Sequence, residues 1–244
     1  MKSNSTSRKL VFALLIMVLF FVHTNVLVFG QPTGVDVVFQ DTEIISPTPA
    51  TELTTAGGSF TTLVLNGTFQ NPRWKAYVGN ISGTMTLSDA ESRSIFRWDL
   101  ATASGQIYVS RSDNVLWETI SCAGEDTISS EETFFDMAED SVDSISNTFN
   151  QEVHREFYVG TELISESSCS SIATFVDDEK QEPSVDASFQ EILLQDSNNN
   201  LVFTTILEQS SVGYDSGEYD FQLIVPENPF NATPTTYFFY AEIH

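Results

Sequence analysis

The chain reads as a mainly β protein: an antiparallel β-sandwich of about twelve short strands with one inserted α-helix, behind an N-terminal signal or anchor helix. Three observations predict it. Short apolar runs recur between Gly, Asn, Asp and Pro turn signals, and the clearest, 219–225, alternates Phe221, Leu223 and Val225 with Asp220, Gln222 and Ile224. The 19 Phe, 7 Tyr and 3 Trp supply a core that an acidic disordered chain would lack. Beyond the leader, one stretch only carries the three- and four-residue apolar spacing of an amphipathic helix.

Residues 1–30 read as a signal peptide or an uncleaved anchor. Arg8 and Lys9 precede an unbroken apolar run over 10–22, and Gln31-Pro32 follows Gly30. A basic head, a short apolar core and small residues before a cut are the marks of a secretory leader, with Val28 and Gly30 at positions −3 and −1. The rival reading takes 10–30 as a spanning helix, whose length suffices, but His23, Thr24 and Asn25 interrupt its second half. No small residue in Arg8-Lys9-Leu10-Val11 suits a pilin-type cut. Residues 31–59 then hold an N-terminal strand over 34–40 and a linker rich in Thr, Pro and Gly, and 60–244 form the sandwich domain.

Charge limits the partners. The formal net charge is −24, and all 34 Asp and Glu lie beyond the leader, against seven basic residues there. Such a surface repels nucleic acid and anionic lipid heads, so membrane contact runs only through residues 10–30 if they stay attached. With Lys75 and Lys180 the only lysines after residue 30, the composition suits a salty medium in which cations screen self-repulsion.

The strand segments follow in quick order. Residues 61–65 meet Asn66-Gly67, a dipeptide favouring a tight hairpin turn because both positions take positive φ. Then come 74–78, 81–87, 94–100, 106–110 and 115–120. The helix is next: Ser129 and Glu132 make a capping box, and Phe134, Ala138, Val142, Ile145 and Phe149 form one apolar stripe. Strands return at 157–164, 172–176, 189–195, 201–208, 219–225 and 236–243, with a hairpin turn at Asp196-Ser-Asn-Asn-Asn200 and an acidic loop at 177–183. Cys122 and Cys169 bracket the helix, and in an exported chain an isolated pair forms a disulfide.

Gly57-Gly58-Ser59, the run Asn71-Pro-Arg-Trp-Lys-Ala-Tyr-Val-Gly-Asn80, Tyr219-Asp-Phe-Gln-Leu-Ile-Val-Pro226 and Tyr237-Phe-Phe-Tyr-Ala-Glu-Ile243 resemble segments of uncharacterised exported archaeal cell-surface proteins. The resemblance runs from the Gly57-Gly58 loop to the end. It implies a surface location and transfers no activity.

No catalytic residue and no cofactor-binding residue is assigned. A hydrolytic nucleophile needs a base beside it, and after the leader only His154 and the terminal His244 remain. His154 reads as solvated between Glu152 and Glu156, and Gly213-Tyr-Asp-Ser-Gly217 reads as a turn, its serine one place late for a nucleophile elbow. Zinc on Cys122, His154 and Cys169 lacks a closely spaced ligand pair. Asp196, Asn198 and Asn200 are the candidate calcium ligands, alternating hard oxygens as an EF-hand loop does. Leu201 and Leu207 stand where that loop needs Gly and Glu, so a plain turn competes. Asn66, Asn80 and Asn231 begin glycosylation sequons. Trp74, Trp98 and Trp117 offer stacking rings for sugars, or core packing.

The expectation is a non-enzymatic extracellular or cell-surface structural or interaction protein, whose partner is a surface protein, a glycan or another copy of itself. A lectin-like carbohydrate- or ligand-binding module is the alternative, and an extracellular hydrolase using carboxylates the third.

Overall fold

The runs 105–110, 190–195 and 201–206 hold apolar side chains at both parities, so a sheet built from them has two faces to bury. In the computed structural model, which describes residues 31–44, 49–99, 104–230 and 233–243, these runs are the centre of the largest sheet. The signal or anchor segment, Asn231 and His244 lie outside the described residues.

Along the chain come β1 (Thr33–Gly34), β2 (Trp74–Gly79), β3 (Thr84–Ser88), β4 (Ser94–Asp99) and β5 (Gly105–Ser110). A single 3-10 turn, Trp117–Thr119, precedes β6 (Ser121–Cys122), α1 (Glu125–Phe134) and α2 (Ile145–Thr148). Then follow β7 (Phe157–Val159), β8 (Glu162–Ile164), β9 (Ser171–Ala173), β10 (Gln190–Gln195) and β11 (Leu201–Ile206). The last are β12 (Ser211–Val212), β13 (Glu218–Tyr219), β14 (Phe221–Pro226) and β15 (Phe238–Ile243). The protein is mainly β, and every strand pair is antiparallel.

The large sheet runs β1-β15-β5-β11-β10-β6, with β9 sharing the outer edge of β10. Its register aligns Phe203 with Val109 and Leu193, and Val202 with Ser110 and Leu194. Because side chains alternate faces, Ile107, Val109, Leu193, Leu201 and Phe203 enter one core, together with Phe135, Ile145 and Phe149 of the helical region and Leu223 and Val225 of β14. Tyr108, Ile192, Leu194, Val202 and Ile206 enter a second core on the opposite face, under Phe157, Val159 and Ile164 of the β7–β8 hairpin and Trp117. Both faces are therefore covered, β14 and its partner β2 lying over the first.

The helix departs from the expected one. Ser129 sits inside α1, which starts after Gly124 and ends near Phe134, and α2 is a separate short helix capped by the Ser144 hydroxyl, which accepts the Asn147 N–H at 3.1 Å. The chain turns at Asp136, whose φ of 51° breaks the helix. Burial consequently falls on Phe135 and Met137, while Phe134 is 49 % and Val142 93 % exposed; only Ile145 and Phe149 of the predicted stripe reach the core. Glu132 does not close a capping box. It accepts the Ser146 N–H and hydroxyl, both at 2.7 Å, in the first turn of α2.

Four predicted strands also differ: 157–164 is broken at Gly160, φ 57°, into the antiparallel β7–β8 hairpin. Of 34–40 only Gly34 lies in a strand, β1, with the Val35 N–H reaching the Phe239 carbonyl at 3.3 Å beyond it, and 115–120 coils into the 3-10 turn with Val115 and Ile120 buried. Residues 61–65 form no strand and 66–67 no hairpin turn, because nothing among the described residues pairs with them; Val64 stays 95 % exposed. The isolated β3–β4 hairpin is exposed throughout.

Candidate functional site

β10 is the scaffold on which the predicted cysteines meet. β6 pairs with it at Leu194 and Gln195, and β9 pairs with it at Gln190, Glu191 and Ile192, so two very short strands lie end to end along one edge. Cys122 closes the first and Cys169 precedes the second. They form a disulfide across 47 residues, with Cα atoms 5.0 Å apart.

His154 locks the same junction. Its ring is fully buried, edge-on to Phe157 at 6.0 Å. Nδ1 contacts the Arg155 carbonyl at 2.8 Å, and Nε2 accepts the N–H groups of Ser168 and Cys169, both at 3.1 Å. The expected solvated pairing with Glu152 and Glu156 is thus wrong; the imidazole is used to satisfy the loop that carries Cys169. The zinc reading fails with it, since both sulfurs are oxidised and the imidazole lone pair faces N–H donors. Burial is the main cause that lowers the His154 pKa, the Arg155 carbonyl and Glu166 acting weakly the other way. A folded pKa below the unfolded one contributes stability that is present above the unfolded value of about 6.5 and lost as pH falls. The urea midpoint therefore drops between pH 7 and pH 5 by more in the parent chain than in His154→Gln, which has no proton to gain. Parallel pH profiles for the two chains would contradict this role.

The calcium candidates are a turn. Asp196 is buried, its Oδ1 accepting the N–H groups of Asn198 and Asn200 at 2.9 and 3.0 Å, its Oδ2 accepting Leu116 N–H at 3.0 Å and the Asn200 amide at 2.8 Å. Burial opposes ionisation, but these bonds outweigh it and hold the carboxyl below its usual range. Asn199 takes the left-handed conformation at φ 60°, which closes the β10–β11 hairpin. Both oxygens that a cation would share face donors instead. Among the described residues no three His, Cys, Asp or Glu side chains converge as metal ligands.

A cleft of about 570 Å³ lies between the start of β5, β7 and the end of β11, lined by Gln106, Arg155, Tyr158, Leu207, Glu208 and Ser211 among others. Its cation is already matched: Arg155 pairs with Glu208, whose carboxylate also accepts the Phe189 N–H at 3.2 Å. Next to it, Glu242 of β15 accepts the Gly160 N–H at 2.9 Å and the Tyr108 hydroxyl at 3.1 Å, pinning the β7–β8 turn to the sheet. Burial raises the Glu242 pKa, against these two bonds. The neighbouring imidazole of His154 engages the 168–169 backbone.

The other buried acid escaped the sequence reading. Glu191 lies wholly inside the first core, its Oε2 accepting the Ile224 N–H at 2.9 Å. Thr205, directly opposite it in the sheet, donates to the Gln222 carbonyl at 2.9 Å, and Glu208 N–H to the Asp220 carbonyl at 2.8 Å. Two side chains and one backbone N–H thus stand in for a strand along the free edge of β14. A charged residue immediately before the apolar run Ile192-Leu193-Leu194 was the available signal.

The predicted stacking rings do not share a face. Trp74 packs in the first core and Trp117 in the second, and only Trp98 is open, tilted against Phe96 at 4.7 Å. Asn66 and Asn80 are exposed, the latter accepting the Asp220 N–H at 3.0 Å. Gly213–Gly217 closes as a tight turn, Gly213 N–H to Gly217 carbonyl at 2.7 Å, with Ser216 bonded to Asp177.

An accessible apolar surface remains. In the β3–β4 register Met85 faces Trp98 and Leu87 faces Phe96, so these four side chains share one face of a hairpin that nothing among the described residues covers. Ahead of β2, Phe60, Leu63, Val64, Leu65 and Phe69 are exposed as well. No helix among the described residues is long and apolar enough to cross a membrane. Comparison with protein-family models, curated proteins and solved structures returns no match to this chain.

Proposed function

We propose that the chain is a non-enzymatic cell-surface protein, a structural or interaction module that works through its exterior. The observation that carries this is the uncovered apolar face of Met85, Leu87, Phe96 and Trp98, beside a body stapled by a disulfide. Contiguous apolar surface left in water marks contact with a partner. The leader-like residues 1–30 and the Cys122–Cys169 bridge support export, because such bridges persist in oxidising compartments. In this reading the body is a sandwich: Leu223 and Val225 of β14 pack against Phe203 of the large sheet, the face-to-face arrangement that layers two sheets. Labelling intact cells with a membrane-impermeant amine reagent is expected to mark the chain, starting after residue 30 and with no free thiol. Recovery from the cytosol alone, with two reduced cysteines, would remove the proposal.

One observation favours a second reading. The exposed Phe96–Trp98 pair is a platform on which a sugar ring can stack. Glycan-array binding that disappears in Trp98→Ala would support a lectin-like module, and the absence of binding on the array would discard it.

A further inference from the structure

Among the described residues, one β-forming segment and one isolated hairpin join no larger sheet. Residues 60–69 carry five large exposed apolar side chains, with Phe60 94 % and Phe69 89 % exposed, and have no strand partner among the described residues. The β3–β4 hairpin presents its apolar face of Met85, Leu87, Phe96 and Trp98 to solvent and is a sheet of two strands only. Isolated two-stranded hairpins are marginal in water, and open strand edges are templates for further pairing.

Charge says which partner tolerates this surface. The whole chain carries −24, yet residues 53–88 contain no acid at all, and 53–99 hold Arg73, Lys75, Arg93 and Arg97 against Asp89, Glu91 and Asp99. Two copies of so acidic a protein repel across their acid-bearing surfaces, whereas a contact through 53–88 brings no carboxylates together. The two segments leave opposite ends of β2. The segment 60–69 leaves from the start of β2, where Arg73 and Trp74 are fixed by hydrogen bonds to the carbonyls of Phe135, Asp136 and Asp143. The hairpin leaves from the other end, where the Ile81 N–H is held by Asp220 at 2.9 Å. The six residues of β2 keep these exits apart by roughly 17–20 Å.

We propose that residues 60–69 of one copy add as a strand to an edge of the β3–β4 hairpin of a second copy, so that Leu63 and Leu65 extend the apolar face formed by Met85, Leu87, Phe96 and Trp98. Reciprocal exchange closes a two-fold dimer. This rests on the reading of the chain as an interaction module and names its partner as itself.

Sedimentation equilibrium of the purified chain over a hundredfold range of concentration tests it. A dimer is expected, tighter in 1 M than in 0.05 M salt because screening relieves the repulsion of the acidic bodies. Leu65→Glu and Trp98→Glu are each expected to give monomers with unchanged circular dichroism, since both residues lie outside the two cores. Mixing them leaves one intact segment and one intact hairpin, so a mixed dimer forms, weaker than the parent. Hydrogen exchange on the parent chain serves if a variant misfolds: amides 61–65 gain protection only as the dimer forms. A parent chain that is monomeric throughout, a dimer indifferent to both variants, or protection independent of concentration overturns the proposal. A monomer still displayed on intact cells leaves the surface role standing, whereas a cytosolic chain with free thiols removes that role whatever its oligomeric state.

Discussion

Replacing both cysteines, Cys122→Ser with Cys169→Ser, lowers the unfolding free energy by about 4 kcal/mol, the chain-entropy value for a closed loop of this length. The bridge spans 47 residues that include α1, α2 and the β7–β8 hairpin, so its removal frees much of one side of the protein in the unfolded state. The folded state is affected where the strands are shortest. β6 contributes two residues to the edge of β10 and β9 three, and the Leu193 N–H reaches the Ser170 carbonyl between them at 2.9 Å. Neither strand holds that edge by its own ladder. The double variant is expected to show a lower urea midpoint, faster hydrogen exchange at Leu193, and aggregation through the opened edge of β10. Equal midpoints for oxidised and cysteine-free chains would show that the bridge contributes nothing to stability.

Much of this was legible in the residues, for reasons that differ from place to place. The Cys122–Cys169 pairing needed only that the chain has two cysteines and the expectation of export. The turn at Asp196-Ser-Asn-Asn-Asn200 was visible because Asn and Asp stop strands locally, through side-chain bonds to the backbone just ahead. The strands 94–100 and 106–110 needed only their own pattern. What the pattern did not reveal is which faces find cover. The runs at 61–65 and 94–99 look as strand-like as 201–206, yet 201–206 is buried and the other two are exposed. Period alone is blind to that difference, since burial is decided by distant partners. The helix failed for a local reason. A 3–4 spacing continued through 134–149, but the left-handed turn at Asp136 and the Ser144 cap divide it, which moved burial from Phe134 to Phe135. His154 was misjudged because its sequence neighbours Glu152 and Glu156 suggested water, whereas the partners of its Nε2 are fourteen and fifteen residues away.

Glu191 is a carboxyl that the fold buries completely, and removing its charge has a pH signature. Burial drives its pKa well above the ordinary value of 4.5, with only the Ile224 N–H acting against it, and Oε1 has no partner. A folded pKa raised above the unfolded one gives stability fully present below pH 4.5 and lost as pH rises, because the unfolded carboxyl ionises freely and the buried one resists. Each pH unit of forgone ionisation is worth about 1.4 kcal/mol, which sets a ceiling of about 3 kcal/mol at pH 7. Glu191→Gln keeps an oxygen for the Ile224 N–H and has no charge to bury. Its unfolding midpoint is therefore expected above that of the parent at pH 7 and level with it at pH 4. Glu191→Ala is expected to be less stable at pH 4, since it strands the Ile224 N–H and opens a cavity beside Thr205. The two substitutions separate the carboxyl's two effects: the charge destabilises the sheet and the oxygen holds β14 to it. An identical pH dependence in parent and Glu191→Gln chains would mean that the carboxylate reaches water, and that β14 does not seal the first core.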